Sequence, residues 1–111
     1  MSYFFIINPS AGKGSAAGLS GRIHDLFRGR GIHYEIALTA HKGHGLELSR
    51  RAMLGGFANI VAAGGDGTIR EAAEPIIGKP QTLGILPIGS GNGLARNLCI
   101  PLKLEPALKG L

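Results

Sequence analysis

Gly64, Gly65, Asp66, Gly67 and Thr68 place one carboxylate and one hydroxyl within a run that holds three glycines. That combination suits a phosphate. Glycine has no Cβ and reaches positive φ, so a ligand can come close to the backbone amides of such a turn. The residues before it, Asn59 to Ala63, are short and apolar, the pattern of a strand covered on both faces. Thr68 with Glu71 three residues on reads as a capping box and predicts a helix N-terminus at Thr68. Free amides and the macrodipole at a helix start favour an anion. The plain alternative is a tight strand-to-helix turn with Asp66 or Thr68 as an ordinary cap. Three glycines in four residues argue against it, because each adds an entropic cost that a simple connection does not require.

Three further turns have chemistry to offer. Asn8-Pro9-Ser10-Ala11-Gly12-Lys13-Gly14 is rich in Gly, Pro and small polar residues. It is not a Walker loop, since Gly14 follows Gly12-Lys13 and no glycine stands five residues before Gly12. Gly12, Gly14 and Ala17 match the Gly-x-Gly-x-x-Ala form of a dinucleotide fingerprint, but the partner acid, Glu35, falls inside a strand when it should stand at its end. Thr39-Ala40-His41-Lys42-Gly43-His44-Gly45 carries two histidines. With no third ligand in view these read as loop or helix-start residues, and no metal is assigned to them. Gly89-Ser90-Gly91-Asn92-Gly93 is the last such turn, in which Ser90 or Asn92 can cap a helix over 94–98.

The elements between the turns alternate. Tyr3 to Ile7 reads as a central strand, followed by a helix from about Ser15 whose Ala16, Leu19, Ile23, Leu26 and Phe27 share one face, stopped by Gly29 and Gly31. His33 to Leu38 is a second strand, and Leu46 to Leu54 a short helix closed by Gly55-Gly56. After the third strand, Asn59 to Ala63, comes a helix using Ile69, Ala72, Ala73 and Ile76, which Pro75 kinks or ends. Thr82 to Pro87 is the fourth strand. Successive strand, loop and helix units predict an α/β fold: a doubly wound parallel sheet with helices on both faces, its loops gathered at the carboxyl ends of the strands, where such sheets bind ligands. Leu102 to Leu111 starts another apolar pattern that stops before completing a helix, which predicts the front part of a longer protein.

Composition bounds the function classes. The 111 residues suit one domain. Twelve Lys and Arg against seven Asp and Glu give a net charge of +5, which favours anionic ligands: nucleotides, phosphorylated metabolites or acidic lipid surfaces. The basic residues are scattered and not interleaved with aromatics, so no nucleic-acid partner is expected. Cys99 is the only cysteine, which excludes an internal disulfide and fits a cytoplasmic protein. The apolar start, Tyr3 to Ile7, is too short for a signal sequence or a membrane span. Any membrane contact is expected to be peripheral.

Taken in order, Asn8 to Gly14, Gly64 to Thr68, and Leu86-Pro87-Ile88-Gly89-Ser90-Gly91-Asn92-Gly93-Leu94-Ala95-Arg96 resemble the catalytic domain of the diacylglycerol kinase family, which includes sphingosine kinases and bacterial lipid kinases. NAD kinases and phosphofructokinases carry similar Gly-Gly-Asp-Gly turns, so the first and third motifs carry the resemblance to the lipid-kinase branch. It implies a phosphofructokinase- or NAD kinase-like amino-terminal domain over residues 1–111, followed by a β-rich domain, with ATP and Mg2+ in the cleft between them. It implies ATP contacts from Asn8, Pro9, Ser10, Ala11, Gly12 and Thr39, from Gly64, Gly65, Asp66, Gly67, Thr68, Ile69 and Arg70, and from Ser90. Asp66 is expected to orient the triphosphate or the water shell of its magnesium, and the catalytic base to lie beyond Leu111. The acceptor implied is a lipid alcohol, of diacylglycerol or sphingoid type, presented at a membrane surface; homo-oligomers are left open. Arg70 stands where many members have Asn, and Gly93 where diacylglycerol kinases usually have Asp, closer to the sphingosine kinase form. A NAD kinase-like enzyme and a non-catalytic nucleotide-sensing domain are the alternatives.

Overall fold

The computed structural model describes residues 2–11 and 18–86. Four parallel strands form one sheet in the order β2-β1-β3-β4: β1 at Ser2–Ile7, β2 at His33–Leu38, β3 at Asn59–Ala63 and β4 at Thr82–Leu86. Three helices connect them, α1 at Leu19–Phe27, α2 at His44–Leu54 and α3 at Asp66–Ala73, the last running into a 3-10 turn at Glu74–Ile76. Pro75 sits at the start of that turn, where its missing N–H costs least and a continuing α-helix is blocked.

The sheet explains why β1 and β3 are nearly uninterrupted apolar runs. Both lie inside it with a helix layer on each face, so every residue from Tyr3 to Ile7 and from Ile60 to Ala63 is buried. Tyr3, Phe5 and Ile7 face α1, packing with Leu19, Ile23, Phe27 and Val61. Burial pushes the Tyr3 phenol above its usual range, so the neutral ring is the form that packs. Phe4 and Ile6 face the other way, onto Leu48, Ala52, Ile60, Ala72 and Ile76 of the α2 and α3 layer. Each large side chain taken from water in these two cores contributes roughly 1.5–3 kcal/mol toward the fold. β2, an edge strand among the described residues, exposes His33, Glu35 and Leu38 and half-buries Tyr34, Ile36 and Ala37.

Helix boundaries move by a few residues from those the periodicity predicts. The described part of α1 begins at Leu19 with Gly18 as its N-cap, and Ser15 and Ala16 lie outside the described residues. Gly29 and Gly31 end it at φ 79° and 71°, a conformation open chiefly to glycine. α2 starts two residues ahead of the expected Leu46, because Gly43 takes φ 87° and turns the chain into the helix at His44. The predicted helix over 94–98 and the stretch 102–111 lie outside the described residues.

The strand order fixes where a ligand can enter. From β1 the chain passes through α1 to β2 on one side, then crosses back over β1 through α2 to β3 on the other. The loops after β1 and β3 therefore leave toward opposite faces, and the crevice between them is the switch point of the sheet.

Candidate functional site

Each loop at this edge is tied to the strand ends by the backbone. The Asn8 N–H donates to the Ala63 carbonyl at 2.9 Å and the Thr39 N–H to the Ile7 carbonyl at 2.8 Å, so the loops after β1 and β2 start from the ladder itself. The Asn8 Oδ1 then accepts the Ser10 N–H at 3.0 Å, an Asx turn that swings the chain out of the sheet.

A cleft of about 420 Å³ opens between the three loops. Asn8 and Ser10 line it from the first, Thr39 from the second, and Gly65, Gly67 and Thr68 from the third. The glycine turn forms its floor at the start of α3, where Gly65 is the N-cap and, among the described residues, no side chain bonds to the first amides. Among the described residues, a Cβ at Gly65 or Gly67 would meet no atom within 4 Å, so their backbone is left uncovered by these residues. Gly64 is different. A Cβ there would lie 2.7 Å from the Thr68 Oγ1 and 2.8 Å from its Cβ, so this glycine lets α3 close onto the end of β3. Thr68 is buried and lines the cleft.

The other expected contact residues lie around the cleft without lining it. Asp66 is the exposed first residue of α3, and among the described residues its carboxylate has no hydrogen-bond partner. Arg70 is exposed in the last turn of α3, while Ile69 packs toward the core beneath it. Pro9 and Ala11 are half-buried in the first loop, Ala11 against the α1 core. Gly12 and Ser90 lie outside the described residues, as do Gly14 and Ala17 of the dinucleotide fingerprint.

Among the described residues, four line the cleft that were not expected as contacts, although their loop and the capping box were noted: Ala40, His41, Lys42 and Glu71. Glu71 also corrects the capping box. α3 begins at Asp66, two residues before Thr68, and Thr68 makes no cap bond. The Glu71 carboxylate turns to the preceding helix instead, where its Oε2 accepts the Gly43 N–H at 2.9 Å and its Oε1 the Gly45 N–H at 3.0 Å. It caps α2, a partner 26 or more residues away that no local spacing reveals.

The two histidines also gain a neighbour the sequence did not suggest. His41, His44 and Glu47 bring ligand-type atoms within 4.8 Å of one another. The His41 and His44 rings stack at 4.7 Å and 15°. The His44 Nδ1 accepts the Ala40 N–H at 2.8 Å, which puts the ring proton on Nε2, so neither nitrogen of His44 presents a free lone pair. His41 is set the other way, its Nδ1 donating to the Lys42 carbonyl at 2.9 Å. The pair shapes the loop, with Nε2 open on His41 and both nitrogens of His44 engaged or protonated.

Comparison with known proteins follows the same lines. The sequence model of the diacylglycerol kinase catalytic domain matches residues 2–111. A Klebsiella pneumoniae protein named "Probable lipid kinase YegS-like" is 37% identical over 87 residues, covering 77% of this chain and 29% of that protein. "Probable lipid kinase YegS" of Escherichia fergusonii is 39% identical over 88 residues, covering 76% of this chain and 29% of that protein. A crystal structure of a diacylglycerol kinase from Bacillus anthracis superposes with a TM-score of 0.74 and 26% identity, over 97% of this chain and 40% of that one. The chain thus spans about 29% of the length of the curated relatives it matches.

Proposed function

The chain belongs to the diacylglycerol kinase catalytic domain family, and from that premise we propose that it is the nucleotide-binding portion of an ATP-dependent lipid kinase. The observation that carries the reading is the cleft at the switch point, where the first and central motifs meet at the uncapped start of α3. An anion at that place gains from the first free amides and the helix dipole without displacing a protein group.

The residues present fit ATP and magnesium. The amides at the start of α3, bare at Gly65 and Gly67, would hold phosphate oxygens, and the Thr39 and Ser10 side chains offer hydroxyls along the wall. Asp66 is the acid of the turn that no protein donor engages among the described residues, so it would hold magnesium directly or through its water shell. Bound there, magnesium neutralises charge on the transferring phosphoryl group. Lys42 adds a mobile positive charge at the rim. These groups bind and neutralise; the base that takes the acceptor's proton is assigned to the part of the protein beyond Leu111. The acceptor proposed is a lipid alcohol of diacylglycerol or sphingoid type at a membrane surface. Among the described residues no helix is long and apolar enough to cross a membrane.

The test is transfer of labelled terminal phosphate from ATP by the full gene product, with a lipid extract and NAD offered side by side. Label in the organic phase supports the proposal. Label on NAD moves the protein to the NAD kinase branch, and ATP binding with no label in either favours a sensing domain. Asp66→Ala in the full product is expected to lower transfer by at least 100-fold with its thermal midpoint unchanged; an active variant refutes the role given to Asp66.

A further inference from the structure

The N-termini of α2 and α3 both lie at the carboxyl edge of the sheet, and they are not equivalent. Among the described residues no side chain bonds to the first amides of α3. At α2 two of them are already taken by the carboxylate of Glu71, which itself lines the cleft. We propose that Glu71 is a positioning residue for the nucleotide: its carboxylate fixes the Thr39 to Gly43 wall relative to the glycine turn, and it withdraws the amides of α2 from competition for phosphate. The inference rests on the reading of the cleft as a nucleotide site.

The geometry behind it is specific to a carboxylate with two free oxygens. Glu71 lies on α3, three residues after Thr68, so its backbone moves with the turn that forms the cleft floor. Its side chain reaches Gly43 and Gly45 across the gap to α2, one oxygen for each amide. Gly45 has to be glycine for this reach, because a Cβ there would lie 2.8 Å from the Glu71 Oε1. On the same stretch His44 accepts the Ala40 N–H, so the wall from Thr39 to Gly45 is anchored at two points, one internal and one on α3.

The charge has a second consequence. Triphosphate carries several negative charges and needs donors to match them. With two amides of α2 engaged by a carboxylate and the first amides of α3 free of side-chain partners among the described residues, the Gly64 to Thr68 side offers phosphate oxygens the open backbone donors. Glu71 thereby biases the phosphates toward the glycine turn.

Glu71→Gln tests this in the full-length protein, because the amide keeps the shape while replacing one acceptor with a donor that faces a backbone N–H. Ser49→Ala serves as the comparison. The Ser49 Oγ, buried and away from the cleft lining, donates to the Ala72 carbonyl at 2.6 Å, so it also ties α2 to α3. Affinity for a fluorescent ATP analogue, KM for ATP and kcat are to be measured for all three proteins, with amide hydrogen exchange over residues 40–47. The expected result for Glu71→Gln is at least tenfold weaker ATP binding, a KM raised by the same factor, kcat within about threefold, and faster exchange at Gly43 and Gly45. Ser49→Ala is expected to bind ATP within twofold of the parent.

Equal ATP affinity in Glu71→Gln and the parent overturns the positioning role, even if stability falls. Equal loss of affinity in Ser49→Ala and Glu71→Gln overturns it as well, because the effect then belongs to helix docking in general. Absence of ATP binding in the parent protein is a separate failure. It removes the nucleotide reading itself, and faster exchange in Glu71→Gln would then mark a cap without a ligand role.

Discussion

At the scale of single residues, the central turn divides its glycines between two tasks. Gly65 and Gly67 leave backbone uncovered, with no atom near the place a Cβ would take. Gly64 makes room within the protein, since Thr68 lies where its Cβ would be. Alanine should therefore have opposite consequences along one short run. Gly64→Ala is predicted to destabilise by about 1–3 kcal/mol, because Thr68 is buried and can move aside only by shifting α3. Denaturant unfolding measures it, and an unchanged midpoint would show that the start of α3 yields freely. The same scale separates the two acids of the motif. Asp66 is exposed and unengaged among the described residues, whereas Glu71, five positions on, is spent on the amides of α2.

Among the elements, α2 and α3 act as a pair that the sheet alone does not define. Both pack on the face of Phe4 and Ile6, and two polar ties join them directly. Glu71 joins them at the cleft end, and Ser49 joins them lower down through the Ala72 carbonyl in the last turn of α3. Carbonyls in a last helical turn run short of backbone donors, and Ser49, fully buried, supplies one. Ser49→Ala is predicted to cost about 1–2 kcal/mol, since a buried carbonyl loses its donor. Thermal unfolding followed by circular dichroism checks this, and a loss under about 0.5 kcal/mol, the scatter for neutral surface changes, would place the tie between α2 and α3 elsewhere.

For the molecule as a whole, the cleft has a floor and walls from the described residues, and the roles proposed for them are to bind the nucleotide and neutralise its charge. Among the described lining residues the Glu71 carboxylate is occupied by the Gly43 and Gly45 amides, while His41, whose Nδ1 donates to the Lys42 carbonyl, keeps Nε2 open. The relatives are more than three times as long as the matched region, which fills about 29% of them. Residues 1–111 expressed alone are accordingly predicted to bind ATP while transferring no phosphate to lipid. Lipid phosphorylation by that fragment would contradict the division of labour proposed here.

Much of this was readable from the chain itself. Buried strands announce themselves as apolar runs, and Asn59 to Ala63 and His33 to Leu38 are bounded as their patterns predict, because backbone pairing and burial act on consecutive residues. The alternation of strand and helix determined the parallel doubly wound sheet, and the glycine motifs determined which loops meet at its carboxyl edge. Only the tertiary structure decided the partners of side chains that reach across the sequence. Glu71 has the spacing of a local cap for Thr68, yet two amides of α2 offer its charge a better match than the single one a capping box provides. Glu47 joins the two histidines, and Ala40 and Lys42 enter the cleft wall, through a loop whose path depends on what α3 holds in place. Local pattern encodes which element forms; contacts between elements distant in the chain depend on how the sheet folds them together.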